Sequence, residues 1–472
     1  MILTPSTESN ALSPSRSPKL LAFQPAIAWA AMGGLALLTT GAILAGVGGV
    51  LRYFFPAAAF GVGFLLYLRY PLIYVSYTWW IWFLTPFVRR LADWKSSYQE
   101  PSTILLAPYL VTFIALMTLV MEVPRAHRQG SLPFILSASG ILYALMIGYV
   151  NRAPADLVVP FLNWFTPVLF GLFLFSHWRD YPAYSQTIRR TFLWMVLLAG
   201  VYGIYQYMVM PGWDALWLTE SGLTSSHGEP EPQAFRVFST MNSTGPFSVA
   251  ILAGLMLLFS DTSQLKLPAS GIGYLAFLLT QVRSSWLGWI VGILVLGTSL
   301  KPKLQMRLFI TILLMALCVV PLATIEPFGS VIQDRIDSFS NLDDDTSARG
   351  RFGIYETHLG PAASDALGRG LGGLQGIGET FDSAVLDTLY TLGWIGTLSY
   401  VGGLVLVTFA LFQTPAARSD PFASATRSIT MSVVFMLLFG NLFLDLSGMV
   451  LWGFLGIGMA ANKYYATQVT QR

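Results

Sequence analysis

The side chains best suited to chemistry in this chain are arginines at the ends of apolar segments. Arg283 separates two apolar runs, and a charge at the centre of a bilayer costs about 2.5 to 3.5 kcal/mol. Arg283 must therefore lie at a membrane interface or face a polar cavity. A guanidinium stays charged and offers paired donors that match phosphate oxygens. Five arginines could converge on one face and predict a site for the diphosphate of a lipid carrier: Arg236, Arg283, Arg349, Arg351 and Arg369.

A structural role competes with this prediction at several positions. Arg283 lies where the turn of a helical hairpin would place a charge simply to hold that turn at the membrane surface. The same explanation applies to Arg369. Arg89 and Arg90 form a further basic pair on the same predicted face. Either a short span is miscounted there, or these two charges meet an anion.

Candidate proton acceptors are fewer. Asp382 comes just before a long apolar run, where a carboxylate could take a proton from an acceptor hydroxyl at the membrane boundary. A helix N-terminus would also stabilise Asp382 there without a catalytic role. His358 shares a predicted helix face with Arg351 and Tyr355, at spacings i, i+4 and i+7. That face is either part of a polar site, with His358 as an alternative base, or an ordinary solvated surface.

Two other polar motifs favour structural interpretations. The run Asp343-Asp344-Asp345 resembles the Asp-x-Asp element that holds a divalent cation in nucleotide-sugar transferases. No sugar nucleotide is expected outside the cytoplasm, however, and the run suits the start of a helix. The segment 368–373 looks like a phosphate loop but lacks the Gly-Lys-Ser/Thr ending, so we interpret it as a tight re-entry toward the next span. We expect neither a metal site nor a cofactor.

Composition places these residues in a membrane protein. The chain of 472 residues is 54% hydrophobic and 11% charged, whereas soluble proteins are about 25% charged. Its single cysteine, Cys318, lies in an apolar segment, which excludes a disulfide framework. The net charge of +3 is dispersed over loops, so a nucleic-acid partner is not expected.

Apolar runs long enough to cross ~30 Å of hydrocarbon recur along the whole chain. They predict an all-α membrane protein, a polytopic bundle of about 12–14 transmembrane helices with a large, partly helical periplasmic loop. Fourteen spans are predicted near 26–50, 54–68, 70–88, 104–122, 132–150, 157–176, 190–210, 245–260, 269–282, 284–300, 305–325, 384–412, 428–446 and 448–463.

Basic residues orient this bundle. With the N-terminus in the cytoplasm, the larger share of the 27 Lys and Arg residues falls on the cytoplasmic side, as the positive-inside rule requires. Ser and Pro are frequent near the N-terminus, which is typical of disorder. The predicted organisation is a disordered cytoplasmic tail (1–25), a transmembrane block of about eleven spans with an outer loop at 211–244 (26–325), a periplasmic loop that would carry catalysis (326–383), about three further spans (384–463) and a second cytoplasmic tail (464–472).

Three motifs occur in order between roughly residues 190 and 410. Residues 236–247 combine an arginine, an Asn and an apolar span, and residues 278–289 form an apolar hairpin around Val282-Arg283-Ser284. Residues 347–352, the glycine cluster and Asp382-Ser383 then precede Leu392-Gly393-Trp394. In this order the motifs resemble the O-antigen ligase and polysaccharide polymerase family of bacterial membrane glycosyltransferases.

The resemblance implies transfer of a glycan from a polyprenyl diphosphate, such as undecaprenyl diphosphate, to an acceptor hydroxyl at the periplasmic face of the bacterial inner membrane. Such reactions build O-antigen, lipopolysaccharide or exopolysaccharide, and the family reaction is regarded as inverting and independent of metal. Arg236, Arg283 and Arg351, with Arg349 beside them, would hold the diphosphate. The implied partners are a lipid-linked oligosaccharide donor, a glycan or lipid acceptor, and other polysaccharide assembly and export proteins.

The chain departs from this family at one position. Many members have His followed by Asn where this chain has Asp382-Ser383. Asp382 could be the base, His358 could replace it, or the activity could be altered or lost. The departure favours a repeat-unit polymerase, or a ligase with another acceptor, over a lipid A-core ligase.

Two other classes stay open: a secondary transporter of a small anion or lipid-linked glycan, and a non-catalytic component of a polysaccharide export system.

Overall fold

The protein is a bundle of helices. The computed structural model describes residues 24–125, 130–299, 305–306, 309–310, 346–373 and 383–470. Within these ranges there is no strand beyond an isolated bridge between Gly228 and Phe235, and the predicted all-α fold is confirmed. The helices are α1 (Gln24–Leu44), α2 (Gly48–Arg69), α3 (Pro71–Lys95), α4 (Leu106–Phe113), α5 (Leu116–Glu122), α6 (Leu132–Asn151), α7 (Pro154–Ser176), α8 (Tyr181–Val209), α9 (Gly212–Glu220), α10 (Thr224–His227), α11 (Thr244–Leu258), α12 (Lys266–Leu279), α13 (Arg283–Ser299), α14 (Thr346–Ser364), α15 (Ala384–Leu411), α16 (Pro421–Met436) and α17 (Asp445–Thr470).

Many of these helices suit a membrane. Among the described residues, 7 helices are long and apolar enough to cross a bilayer. Two shorter apolar helices, α11 and α12, are also described. The chain is thus a multi-pass membrane protein. The seven candidate spans are Ala26–Leu44, Gly48–Arg69, Thr103–Glu122, Leu132–Asn151, Pro154–Ser176, Trp178–Val209 and Ala384–Leu411.

Successive long helices run in alternating directions. Gly48, at the start of α2, lies against Ala92 near the end of α3. Gly403, late in α15, lies against Pro133 at the start of α6. The predicted topology requires this alternation, which divides the connections between two ends of the bundle. We call one of them the long-loop end, where the connections 209–244, 279–283 and 436–445 lie. The connections 69–71, 176–181, 258–266 and 411–421 lie at the opposite end.

Some predicted spans have different boundaries in the structure. The first, 26–50, ends at Leu44 because Gly46 adopts a left-handed conformation (φ +71°) that turns the chain into α2. The span 104–122 consists of a short 3-10 turn followed by α4 and α5, rather than one regular helix. Apart from four positions, the predicted span 305–325 lies outside the described residues.

Helix α15 is broken near its start. Gly393 has φ +60° and ψ −175°, so residues 384–392 and 394–411 are two helical stretches. Gly368, also in a left-handed conformation, packs against the break, where a Cβ would lie 2.3 Å from the Gly393 nitrogen. Only glycine fits such close backbone contact at positive φ.

The glycine-rich segment continues from this break into the bundle. Gly370 contacts the backbone of Gly148 in α6, and the backbone N–H of Leu371 donates to the Ala144 carbonyl at 3.0 Å. Irregular backbone is tolerated at membrane depth when protein surrounds it and satisfies its polar groups. The segment therefore lies between α6 and α15, in agreement with the predicted tight re-entry.

Candidate functional site

A polar cavity of about 940 Å³ lies at the long-loop end. Its wall combines residues from the loop before α11, the first turns of α11, the α12–α13 turn, α14 and the connection between α16 and α17. These parts are far apart in sequence and meet because their helices pack side by side. The side chains with most chemical interest on this wall are Ser226, His227, Arg236, Asn441 and Asp445.

Arg236 brings a guanidinium group to the cavity wall. Its Nη1 donates to the Ser226 carbonyl at 3.1 Å, its Nε to the Thr280 carbonyl at 3.2 Å and its Nη2 to the Gln281 carbonyl at 3.3 Å. Gln281 itself has a left-handed backbone (φ +54°) at the turn into α13. These three bonds to backbone carbonyls orient the guanidinium on the cavity wall.

Three helices begin at the cavity. Thr244 of α11, Ser284 of α13 and Asp445 of α17 lie in the first turns of their helices and line the wall. The N-terminus of a helix carries a partial positive charge of about +0.5, together with free backbone N–H groups. Such termini bind phosphate and other anions. Together with Arg236, the N-termini of α11 and α13 make this part of the cavity favourable for a negatively charged group, whereas the Asp445 side chain itself occupies the N-terminus of α17.

His227 is the other ionisable nitrogen group on this wall. It is 5% exposed, its Nδ1 lies 2.8 Å from the Ser226 hydroxyl, and its Nε2 accepts the Thr244 backbone N–H at 3.4 Å. Burial, and then the nearby Arg236 charge, lower the His227 pKa to about 4. The imidazole is therefore neutral at pH 7 and has its unprotonated nitrogen on the side of the α11 N-terminus.

A carboxylate, that of Asp445, also lies on the cavity wall. Asp445 has a left-handed backbone (φ +53°), and its side chain accepts a hydrogen bond from the Tyr109 hydroxyl. Asn441, also on the wall, donates to the buried Asp387 of α15. Positive φ at a residue other than glycine is uncommon and often marks functional sites. The cavity thus combines an anion-binding side with groups that can accept a proton or a hydroxyl.

The structure places one of the predicted arginines, Arg236, on this wall. Arg283 is not itself a lining residue, but it lies between two lining residues, Val282 and Ser284, at the start of α13. The α12–α13 turn lies close to Arg236, which donates to its Gln281 carbonyl.

His358 and Arg369 instead meet at Tyr390 in the first part of α15. The Arg369 guanidinium lies 4.8 Å from the centre of the Tyr390 ring, and the His358 Nδ1 lies 3.4 Å from its hydroxyl. Neither residue lines the polar cavity. Ile354, one turn before His358 on α14, does line it.

Three predicted site residues are not placed. Asp382 and the side chains of Arg349 and Arg351 lie outside the described residues, as does the acidic run 343–345. Ser383, which follows Asp382, caps α15 by accepting the Leu386 backbone N–H at 3.3 Å.

Arg90 has its charge matched inside the protein. It is 0% exposed and forms an ion pair of 3.1 Å with the equally buried Asp214. Its Nη1 donates to the Met241 carbonyl at 2.9 Å, and its guanidinium lies 4.9 Å from the Phe238 ring centre. A buried charge must be paired in this way. Arg90 therefore holds the 211–244 loop on α3 and leaves no surface for an external anion.

Arg89 is paired similarly. It is 3% exposed and forms ion pairs with Asp93 at 3.2 Å and Glu100 at 2.6 Å. The anions that Arg89 and Arg90 meet in the structure are thus carboxylates of the same chain. The expectation of a contact with a bound anion is corrected here, because burial makes internal pairing necessary.

The sequence motifs do not single out three residues of this wall, His227, Asn441 and Asp445. No local motif surrounds them, and their partners come from distant helices. The signal that could have found Asp445 is a carboxylate at the very start of an apolar span.

Comparisons with known proteins identify no relative. The sequence matches no protein-family model and no curated protein. Function must therefore be argued from the motifs and the geometry of the cavity.

Proposed function

We propose that this protein is a membrane glycosyltransferase that moves a glycan from a polyprenyl diphosphate to an acceptor hydroxyl. The observation that carries the proposal is the cavity in which Arg236 meets the N-termini of α11 and α13 at one end of a membrane bundle. A diphosphate at the membrane boundary is the ligand that such donors fit. The product would be O-antigen or exopolysaccharide, made by a polymerase or a ligase.

The proposed reaction is an inverting displacement that uses neither metal nor cofactor. The acceptor oxygen attacks the anomeric carbon of the lipid-linked sugar, and the bond from that carbon to the phosphate oxygen breaks. The diphosphate leaves with the bonding electrons. Arg236, Arg283 and the helix N-termini stabilise the negative charge that develops on the leaving group, which typically contributes about 10²–10³ in rate per donor. Arg349 and Arg351 remain predicted contributors.

The acceptor proton needs a base. His227 and Asp445 line the cavity and both can accept a proton. Asp382 stays the base predicted from the sequence, with His358 as its alternative. A base within hydrogen-bond reach of the acceptor hydroxyl is required, so single replacements of these four residues rank them by loss of turnover.

The proposal also specifies location. The protein would lie in the bacterial inner membrane with its long-loop end toward the periplasm and both termini in the cytoplasm. The lipid-linked oligosaccharide would enter from the bilayer, and a glycan or lipid acceptor would enter from the periplasm. Other polysaccharide assembly and export proteins would be its partners.

A second candidate function, secondary transport of a small anion or a lipid-linked glycan, is favoured by one observation. The break at Gly393 and the re-entrant glycine segment resemble the discontinuous helices of transporters. The segment is packed against α6 by direct backbone contacts, however, which suits a fixed support better than a moving gate.

The test is a set of arginine replacements in the bacterium that carries the protein. Arg236→Gln should lower glycan assembly by about 10²–10³, because one charged donor to the leaving group is lost. Arg189→Gln is the matched control, since Arg189 also donates to a backbone carbonyl, that of Ser260, but lies at the opposite end. Sugar-stained gels and mass spectrometry of lipid-linked glycans measure the outcome.

The pattern of accumulated lipid distinguishes the candidates. A single lipid-linked repeat unit in the strain lacking the protein indicates a polymerase, and a long lipid-linked polymer indicates a ligase. Unchanged glycolipids would contradict both activities and favour a transporter or a non-catalytic component of an export system. The thermal unfolding midpoint of purified Arg236→Gln separates loss of chemistry from loss of fold, because Arg236 also holds three backbone carbonyls.

A further inference from the structure

A second cavity, of about 850 Å³, is an apolar groove between α1, α3 and α8. Helix α3 lines it from Leu72 to Val88, a distance of roughly 24 Å at 1.5 Å per residue. This is most of the ~30 Å hydrocarbon core of a bilayer. Helix α1 forms the outer border and is largely exposed along its length. The groove therefore runs along the membrane normal and is open to lipid.

A positive charge lies at one end of this groove. Arg190 lines it in the first third of α8, toward the end of the bundle opposite the polar cavity, with Thr187 less than one turn away. The side chain of Arg190 is exposed and forms no ion pair within the described part of the chain. A solvent-exposed guanidinium at a membrane interface attracts phosphate groups.

Polar groups also occur inside the groove. Ser76 and Thr191 hydrogen-bond to each other at 2.8 Å. Thr39 is buried on the groove wall, and its hydroxyl has no hydrogen-bond partner among the residues described. A buried hydroxyl without a partner is costly, which is consistent with a ligand that occupies the groove.

We propose that this groove binds one anionic phospholipid. Its phosphate contacts Arg190 and Thr187, and an acyl chain lies along the face of α3. A soluble anion would not bury the apolar wall, and a zwitterionic lipid would gain less from the arginine because its own cation offsets the phosphate. Basic pockets between transmembrane helices recognise anionic headgroups in this way. The proposal is independent of the glycan chemistry at the other end.

Native mass spectrometry of the full-length protein tests the proposal. The purified protein is titrated with phosphatidylglycerol or with phosphatidylcholine of the same acyl chains. We expect one phosphatidylglycerol to be retained in preference, and Arg190→Gln to weaken its binding about fivefold, the effect expected of one interfacial arginine. Arg69→Gln, an exposed arginine at the same end that does not line the groove, should bind as the wild type does.

A second variant tests the acyl-chain part. Ala36→Trp places a bulky ring on the exposed groove wall while Arg190 is unchanged, and it should reduce retention of phosphatidylglycerol. Equal retention of both lipids, or wild-type binding by Arg190→Gln and Ala36→Trp, would overturn the proposal. Reduced binding in Arg69→Gln equal to that in Arg190→Gln would show general charge attraction in place of a groove site.

Discussion

At the scale of single residues, the arginines of this protein divide by how their charge is matched. Arg90 is fully buried and paired with Asp214, so its role is to hold a loop on the bundle. Arg236 donates to three backbone carbonyls at the wall of a cavity, the position at which we propose that it binds a diphosphate. In the sequence, both are arginines beside apolar segments. Only their surroundings in the fold distinguish a structural role from a functional one.

His227 carries a prediction at this scale. Its pKa in the folded protein is about 4, below the ordinary value of 6.5, because burial and the Arg236 charge disfavour the imidazolium. As pH falls below about 6.5, the unfolded chain gains a proton that the folded protein does not accept until about pH 4. Because of this residue, the free energy of unfolding should be lower by about 2 kcal/mol at pH 5.

Thermal unfolding of the purified protein between pH 7.5 and pH 5 measures the effect. His227→Gln removes the titrating group and should show a smaller drop in unfolding midpoint over this range than the wild type. Identical pH slopes for the two proteins would contradict the prediction. The variant is compared with wild type at pH 7.5 as well, where the difference reports lost hydrogen bonds to Ser226 and Thr244.

At the scale of elements, glycines allow a non-helical segment to enter a helical bundle. Gly368 and Gly370 have positive φ and approach the backbones of α15 and α6 too closely for any side chain. The first stretch of α15 follows in sequence, and its Asp387 reaches Asn441 on the cavity wall. The glycine segment therefore supports the element on which one side of the cavity depends.

A replacement in this segment is predicted to be severe. A Cβ at position 370 would lie 2.2 Å from the Gly148 nitrogen, and the positive φ adds a strain of about 1–2 kcal/mol. Gly370→Ala should lower stability by more than about 2 kcal/mol and reduce activity. Thermal unfolding and cell-surface glycan measure the two effects.

Gly353→Ala is the matched control for that experiment. Gly353 is exposed on α14, and no atom of another described element lies within 4 Å of the position that a Cβ would occupy there. Alanine should therefore be neutral or should stabilise by up to about 1 kcal/mol. Equal stability of Gly370→Ala and Gly353→Ala would show that the segment is not constrained as described.

At the scale of the whole molecule, the alternation of helices places the polar cavity and the lipid groove's arginine at opposite ends. Arg236 lies at the long-loop end, whereas Arg190 lies in the first third of α8, toward the opposite end. If the long-loop end is periplasmic, the cavity would act on externally exposed substrates while Arg190 would meet anionic lipid of the cytoplasmic leaflet.

Cysteine labelling tests this orientation. Cys318 is the one cysteine of the chain, so Cys318→Ser gives a cysteine-free background. Glu229→Cys is exposed at the long-loop end, and Ser263→Cys is exposed at the opposite end. A membrane-impermeant maleimide should label the first in intact cells and the second only after permeabilisation. The reverse pattern would place the cavity in the cytoplasm and remove the basis for a periplasmic transferase.

The sequence by itself determined that this is a polytopic helical membrane protein and which connections share an end. Both properties follow from the apolar runs. The length of each run indicates whether it can span the bilayer, and two connections lie at the same end when an even number of spans separates them. The sequence also singled out Arg236, which lines the polar cavity. It indicated a tight re-entry at 368–373, whereas the left-handed glycines and close backbone contacts that shape this segment are visible only in the structure.

Only the tertiary structure decided which charged groups are available. Arg90 meets Asp214, Tyr109 meets Asp445 across 336 residues of sequence, and His227 meets the start of α11. Each of these contacts depends on how distant helices pack, which no local pattern specifies. Burial then sets whether a charge is neutralised within the protein or acts at a cavity, because the cost of an unpaired charge rises steeply once water is excluded.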